Sequence, residues 1–159
     1  MLKVASYDIV FQEVPGEVTL ALNLSNCPCH CPGCHSKHLW DDIGEPLDEE
    51  LLDALIAKYT GLITCVCFMG GDQDPAEVAR LAAHINRSPL TTHHSPLKTA
   101  WYSGRMSMPS DGFDYVKIGP YIESLGGLKS PTTNQRLYKR KDDTWIDITS
   151  SFWKSSLGS

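Results

Sequence analysis

From residue 17 the chain alternates. Val18, Leu20, Leu22 and Leu24 stand apolar against Thr19, Ala21 and Asn23 in EVTLALNLS (17–25), and a period of two predicts a strand with one strongly apolar face. The preceding VPGE (14–17) reads as a turn and YDIVFQ (7–12) as a short antiparallel partner. The period changes in LDEELLDALIAKY (47–59), where Leu51, Leu52, Leu55, Ile56 and Tyr59 recur at helical spacing. Acidic residues fill the first turn of that helix and Lys58 its last, and Gly61 suits the position just past its end. LITCVCF (62–68) is apolar throughout, as for a strand covered on both faces, and leads into Gly70-Gly71. DPAEVARLAAHI (74–85) predicts a second helix with Asp74 as cap, Pro75 at the first position and Glu77 three residues after the cap; Val78, Leu81, Ala82 and Ile85 form its stripe. KTAWYS (98–103) and DYVKIG (114–119) predict two further strands, and QRLYKR (135–140) a last one nearer an edge.

Strand–helix–strand–helix–strand order predicts an α/β domain with a largely parallel sheet. About five mainly parallel strands of this kind would form an open partial (β/α) barrel, curving without closing. Ligands in such architectures sit at the carboxyl ends of strands. The stretch past Leu24, the pair Gly70-Gly71 and Ser103 all fall at such ends. The 159 residues make one domain over 1–154 with a small polar tail over 155–159. Two stretches, 86–97 and 123–134, are rich in Pro, Ser, Thr and Gly. ESLGGLKSPTTNQR (123–136) lacks a core-forming pattern and reads either as a partner-docking segment or as a plain surface connection.

Charge and cysteine usage narrow the chemistry. A net charge of −5 leaves no broad basic face, so nucleic acid is a poor partner. No apolar run approaches the roughly 18 residues of a membrane span, and the N-terminus lacks a signal-peptide order, so a cytoplasmic protein is expected. In a reducing compartment clustered cysteines bind metal or do redox chemistry more often than they form disulfides.

SNCPCHCPGCHSKH (25–38) packs four cysteines and three histidines into one stretch, at the end of the strand predicted over 17–25. Cys27, Cys31 and Cys34 are spaced C-x3-C-x2-C, with Cys29 inside the first gap. Three thiolates from one short loop can hold three corners of an iron–sulfur cube, leaving the fourth iron open to a substrate. Pro28, Pro32 and Gly33 favour a tight loop over a helix. Alternatively, these cysteines with His30, His35 and His38 could supply a tetrahedral zinc and staple an interaction domain. A structural zinc usually joins separated ligand pairs, whereas here every plausible ligand lies in one stretch.

CPCHCPGC resembles the cysteine motif of the radical S-adenosylmethionine superfamily. With MGGD (69–72), WYSG (101–104) and TNQRLY (133–138), the chain from about residue 7 to 140 is similar to the activating proteins of anaerobic (class III) ribonucleoside-triphosphate reductase. The resemblance implies a [4Fe–4S] cluster on Cys27, Cys31 and Cys34, the motif's catalytic and metal-binding cysteines. It also implies S-adenosylmethionine chelated to the open iron and reductively cleaved to a 5′-deoxyadenosyl radical, and a glycyl radical generated on the reductase. The electron would come from a small donor such as flavodoxin or ferredoxin. The activase of another glycyl-radical enzyme is the nearest alternative.

Further positions take roles beside that motif. A strand ending in Gly70-Gly71 exposes carbonyls that a ligand ammonium can approach without a Cβ in the way, and Asp72 adds a carboxylate for the same charge. Ser103 is a candidate for the ribose, and His35, directly after the third cysteine, borders the cofactor. Cys29 is extra to the motif and is expected not to ligate; Cys65 and Cys67, on a buried strand, read as core. His30 and His38 read as solvated, and the pair His93-His94, in a polar stretch, as plain loop. Many superfamily members carry an aromatic residue where Gly33 stands, and related activases an acidic one where Ile118 stands, so neither role transfers. Lys117 reads as a solvated lysine, with a cofactor carboxylate as its other reading.

Overall fold

The computed structural model describes residues 2–11, 13–25, 43–59, 61–87, 97–104, 112–141 and 144–152. The elements are β1 (Leu2–Val10), β2 (Thr19–Leu24), β3 (Glu45–Leu47), α1 (Glu49–Lys58), β4 (Cys65–Met69), α2 (Pro75–Arg87), β5 (Lys98–Tyr102), β6 (Tyr115–Ile118), β7 (Arg136–Lys141) and β8 (Thr144–Asp147). All eight strands join one sheet in the order β3-β1-β2-β4-β5-β6-β7-β8.

This corrects the expected open partial (β/α) barrel of about five mainly parallel strands. Four of the seven pairings are antiparallel: β1 with β2 and β3, β6 with β7, and β7 with β8. Parallel pairing is confined to the middle, β2-β4-β5-β6. The reason lies in the connections. Parallel neighbours need a crossover, which α1 and α2 supply between β2, β4 and β5. At the flanks the chain simply reverses, through a turn closed by Glu17 N–H on the Val14 carbonyl and through the 119–135 loop between β6 and β7. The short β3 and β8 carry no periodic pattern long enough to have been read.

The helices form where the spacing placed them. Asp48 caps α1 by accepting the Leu51 N–H at 2.8 Å, and Asp74 accepts the Glu77 N–H at 3.4 Å ahead of α2. Arg80 meets Glu49 at 2.7 Å and His84 meets Asp53 at 2.8 Å, so the two helices lie side by side. Both bury their stripes on the same sheet face, against Leu20, Leu22, Leu24, Val66, Phe68, Trp101 and Val116. The opposite face holds a smaller core of Cys65, Cys67, Ala100, Tyr115 and Leu137, covered by Val14 and Phe152. Alternation along β4 therefore puts both cysteines on the face without helices. The 119–135 loop is more ordered than its composition predicts. Thr132 Oγ1 donates to the Leu125 carbonyl, Thr133 Oγ1 to Gly126, Asn134 Nδ2 to Pro120 and Gln135 Nε2 to Gly119. It closes on itself as an Ω-loop does.

At the amino ends of the parallel strands, Glu17 is 8% exposed. Lys98 Nζ lies 2.8 Å from Oε2, Tyr115 Oη donates to Oε2 at 3.0 Å, and Thr64 Oγ1 donates to Oε1 at 2.8 Å. Burial pushes this carboxyl up, but the hydrogen bonds from Lys98, Thr64 and Tyr115 and the Lys98 charge outweigh it, and the net direction is down from 4.5. A depressed carboxyl contributes stability that is present above its ordinary value and is lost as pH falls through the folded one. Glu17→Gln is therefore expected to cost about 1–3 kcal/mol at pH 7. The gap from wild type in urea unfolding should close as pH drops below about 4.5; a gap that does not change with pH would refute the assignment.

Candidate metal centre at the carboxyl strand ends

The carboxyl ends of β2, β4, β5 and β6 all point the same way, and four connections begin there. The first is the cysteine-bearing stretch. Ser25, fully buried, donates its N–H to the Lys3 carbonyl at 3.0 Å and its hydroxyl to the Ile43 carbonyl at 2.6 Å. The chain that leaves at Ser25 thus returns at Ile43, through a closed neck. Gly44 follows at φ +99, where a Cβ would fall 2.1 Å from the Val4 carbonyl oxygen, so that position needs glycine. Cys27, Cys29, Cys31, Cys34, His30, His35 and His38 lie between, outside the described residues, as do His93 and His94.

The second connection is Gly70-Gly71-Asp72 at the end of β4. Gly70 accepts the Trp101 indole N–H on its carbonyl at 2.7 Å, and Gly71 accepts the Asp74 N–H at 3.0 Å. Both carbonyls thus already serve the fold, and each keeps a second lone pair. Asp72 is 1% exposed. Its Oδ1 accepts the Ser103 hydroxyl at 2.5 Å and its Oδ2 the Gly104 N–H at 2.9 Å. The structure therefore brings Gly70, Gly71, Asp72 and Ser103 together at adjoining strand ends, with Ser103 bonded to Asp72. Gln73 Nε2 donates to the Ser25 carbonyl at 3.4 Å, tying this turn to the neck.

Two participants, Ser25 and Gln73, go unnamed in the sequence reading, and a third, Lys117, is expected there to be solvated. Ser25 and Gln73 carry no signal in a single sequence. Lys117 did: alternation along β6 places it on the same face as the buried Tyr115. It is not solvated but 9% exposed, donating to the carbonyls of Ser103 and Gly119.

Cys65 and Cys67 are free thiols and fully buried, as read from the sequence. Burial pushes Cys65 up to about 12 and Cys67 well above its ordinary range. The thiolate is the metal-binding form, so both are poor ligands. Among the described residues no group of three or more His, Cys, Asp and Glu is placed to hold a metal ion. Among them, too, no helix is long and apolar enough to cross a membrane. A cleft of about 570 Å³ opens on the sheet face without helices, walled by Tyr102, Tyr121, Leu128 and Phe152.

No curated protein and no solved structure matches the chain. A family model for 4Fe-4S single cluster domains matches residues 14–103. That span runs from the turn before β2, through the neck and the Gly70-Gly71-Asp72 turn, to Ser103, and covers more than half of the sequence. The chain belongs to the 4Fe-4S single cluster domain family and is an iron–sulfur protein.

Proposed function

We propose that this iron–sulfur protein is a radical S-adenosylmethionine activase that generates the glycyl radical of anaerobic ribonucleoside-triphosphate reductase. The observation that carries the reading is the neck at Ser25 and Ile43. The stretch that carries C-x3-C-x2-C starts from this neck at the end of β2, and Gln73 ties the neck to the Gly70-Gly71-Asp72 turn of the neighbouring β4. Cys65 and Cys67 are sealed in β4, and the resemblance to the radical S-adenosylmethionine cysteine motif assigns the cluster to Cys27, Cys31 and Cys34, with Cys29 spare. The donor set fits the group, since three thiolates in one short stretch suit a four-iron cube that keeps one iron for a small ligand.

When bound, the cluster and S-adenosylmethionine would supply one-electron cleavage of the sulfonium and a radical able to take hydrogen from a glycine. The chain's own residues prepare that site. Asp72 holds a buried carboxylate suited to a ligand ammonium. The Gly70 and Gly71 carbonyls each keep a second lone pair for the same ammonium. The Ser103 hydroxyl, donating to Asp72, offers its lone pairs to a ligand hydroxyl, and His35, directly after the third cysteine, would border the cluster. A small donor such as flavodoxin or ferredoxin would deliver the electron.

Anaerobically reconstituted, dithionite-reduced protein is expected to carry about three to four irons with matching sulfide. It should release 5′-deoxyadenosine from S-adenosylmethionine and raise a glycyl-radical signal when mixed with the reductase. One tight zinc and no release would end the reading. Activation of a different glycyl-radical enzyme alone would keep the chemistry and replace the partner.

A further inference from the structure

At the carboxyl ends of β5 and β6 two paired chains part. Their last ladder bond runs from the Ser103 N–H to the Lys117 carbonyl at 2.8 Å. Beyond it Ser103-Gly104 turns toward Asp72, while Gly119-Pro120 opens the 119–135 loop. The Lys117 side chain reaches across this fork. Its ammonium donates to the Ser103 carbonyl at 3.1 Å and to the Gly119 carbonyl at 2.9 Å, and sits 5.9 Å from the centre of the Tyr102 ring. A buried ammonium is costly unless charged hydrogen bonds compensate it. The strand does not need one, because the other β6 positions are Tyr115, Val116 and Ile118. What lysine adds is a pair of charged donors at the point where main-chain pairing stops.

The next links start from Ser103. Its hydroxyl and the Gly104 N–H occupy both oxygens of the buried Asp72 carboxylate. The chain of contacts therefore runs Lys117, Ser103, Asp72 across the ends of β6, β5 and β4. We infer that Lys117 is a positioning residue: its ammonium clamps the β5–β6 fork and so aims the Asp72 carboxylate through Ser103 and Gly104. That the carboxylate meets a cofactor rests on the function proposed above, whereas the clamp itself does not.

Lys117→Met removes the ammonium, and with it the hydrogen bonds to the Ser103 and Gly119 carbonyls, at nearly constant length. Amide hydrogen exchange on the full chain should then accelerate roughly tenfold or more at Ser103 and Gly104, the effect of losing charged hydrogen bonds, with α1 and α2 unchanged. Lys98→Met, which breaks the Glu17 pair at the opposite ends of the strands, controls for general destabilisation and should leave Gly104 protected. Unchanged protection at Gly104 in Lys117→Met, or equal acceleration in Lys98→Met, overturns the inference. In cluster-loaded protein, the dissociation constant for S-adenosylmethionine by equilibrium dialysis should rise by a similar factor with iron content unchanged. A wild-type protein that binds no S-adenosylmethionine counts against the proposed function and leaves the exchange result standing. Should Lys117→Met not fold, Lys117→Gln, which keeps a donor for one carbonyl, carries the same comparison.

Discussion

Cys31→Ala is expected to reduce 5′-deoxyadenosine release to background, while Cys29→Ala retains it. Both cysteines lie in the stretch between the neck residues Ser25 and Ile43, so the pair of variants separates ligation from mere proximity. Altering residues that only support metal ligands typically costs 10–100-fold, so deleting a ligand of a three-thiolate set should cost more than about 100-fold. Retention of a neighbouring thiol does not rescue it unless Cys29 can take the vacated corner. The measurement is anaerobic: iron and sulfide per chain, then nucleoside released under dithionite. Equal loss in both variants would make Cys29 a ligand and undo the C-x3-C-x2-C assignment. Full release by Cys31→Ala would mean that Cys29 takes the vacated corner, and full release by the double variant Cys29→Ala, Cys31→Ala would remove the cluster from this stretch altogether.

The middle of the fold was legible because its residues obey simple periods. Leu20, Leu22 and Leu24 alternate, and observed β2 covers 19–24 inside the expected 17–25. Leu52, Leu55 and Ile56 repeat at helical spacing and are the buried side of α1. The flanks misled for a physical reason. Hydrophobic period reports that a segment is a strand but not which way its neighbour runs; direction is set by the connection. A helix between β4 and β5 announces parallel pairing, whereas the 119–135 stretch announces nothing. Its reversal depends on side-chain bonds from Thr132, Thr133, Asn134 and Gln135 to main-chain carbonyls. Short β3 and β8, at the two edges, have too few residues for a period to show.

Within the site, residue type was legible and partnership was not. Gly70, Gly71, Asp72 and Ser103 stand out as polar or glycine punctuation after apolar strands, and they do converge. That Ser103 donates to Asp72 depends on β4 and β5 being neighbours in register, Met69 opposite Tyr102. Lys117 shows the opposite failure. Its residue type argued for solvent, and its place in the alternation argued for burial; the alternation was the better guide because two main-chain carbonyls satisfy the charge.

Gly71→Ala should destabilise the chain far more than Gly70→Ala, although both glycines were read as one ligand-facing pair. Gly71 sits at φ +86, where an L-residue costs about 1–2 kcal/mol. A Cβ there would lie 2.7 Å from Val78 Cγ2 and 3.0 Å from Leu24 Cδ1, inside the main core. Overpacking of that kind adds about 1–3 kcal/mol, for a total of about 2–5 kcal/mol. Gly70, at φ +101, carries the backbone cost alone, since its nearest neighbour is the Leu24 carbonyl oxygen at 3.4 Å. Against a typical domain stability of about 5–15 kcal/mol the first loss is large and the second modest. Urea midpoints of the two variants, compared with wild type, read this directly, and a Gly71→Ala midpoint equal to the Gly70→Ala one would contradict it. The same pair divides structure from binding. Gly71 is fixed by α2 packing against the strand end, so its replacement acts through the fold. Gly70 has room for a Cβ against Leu24, at 3.4 Å from its carbonyl oxygen and 3.8 Å from its Cβ. Gly70→Ala therefore keeps the fold, and a loss of S-adenosylmethionine binding larger than its small stability loss would trace to the strand-end main chain itself.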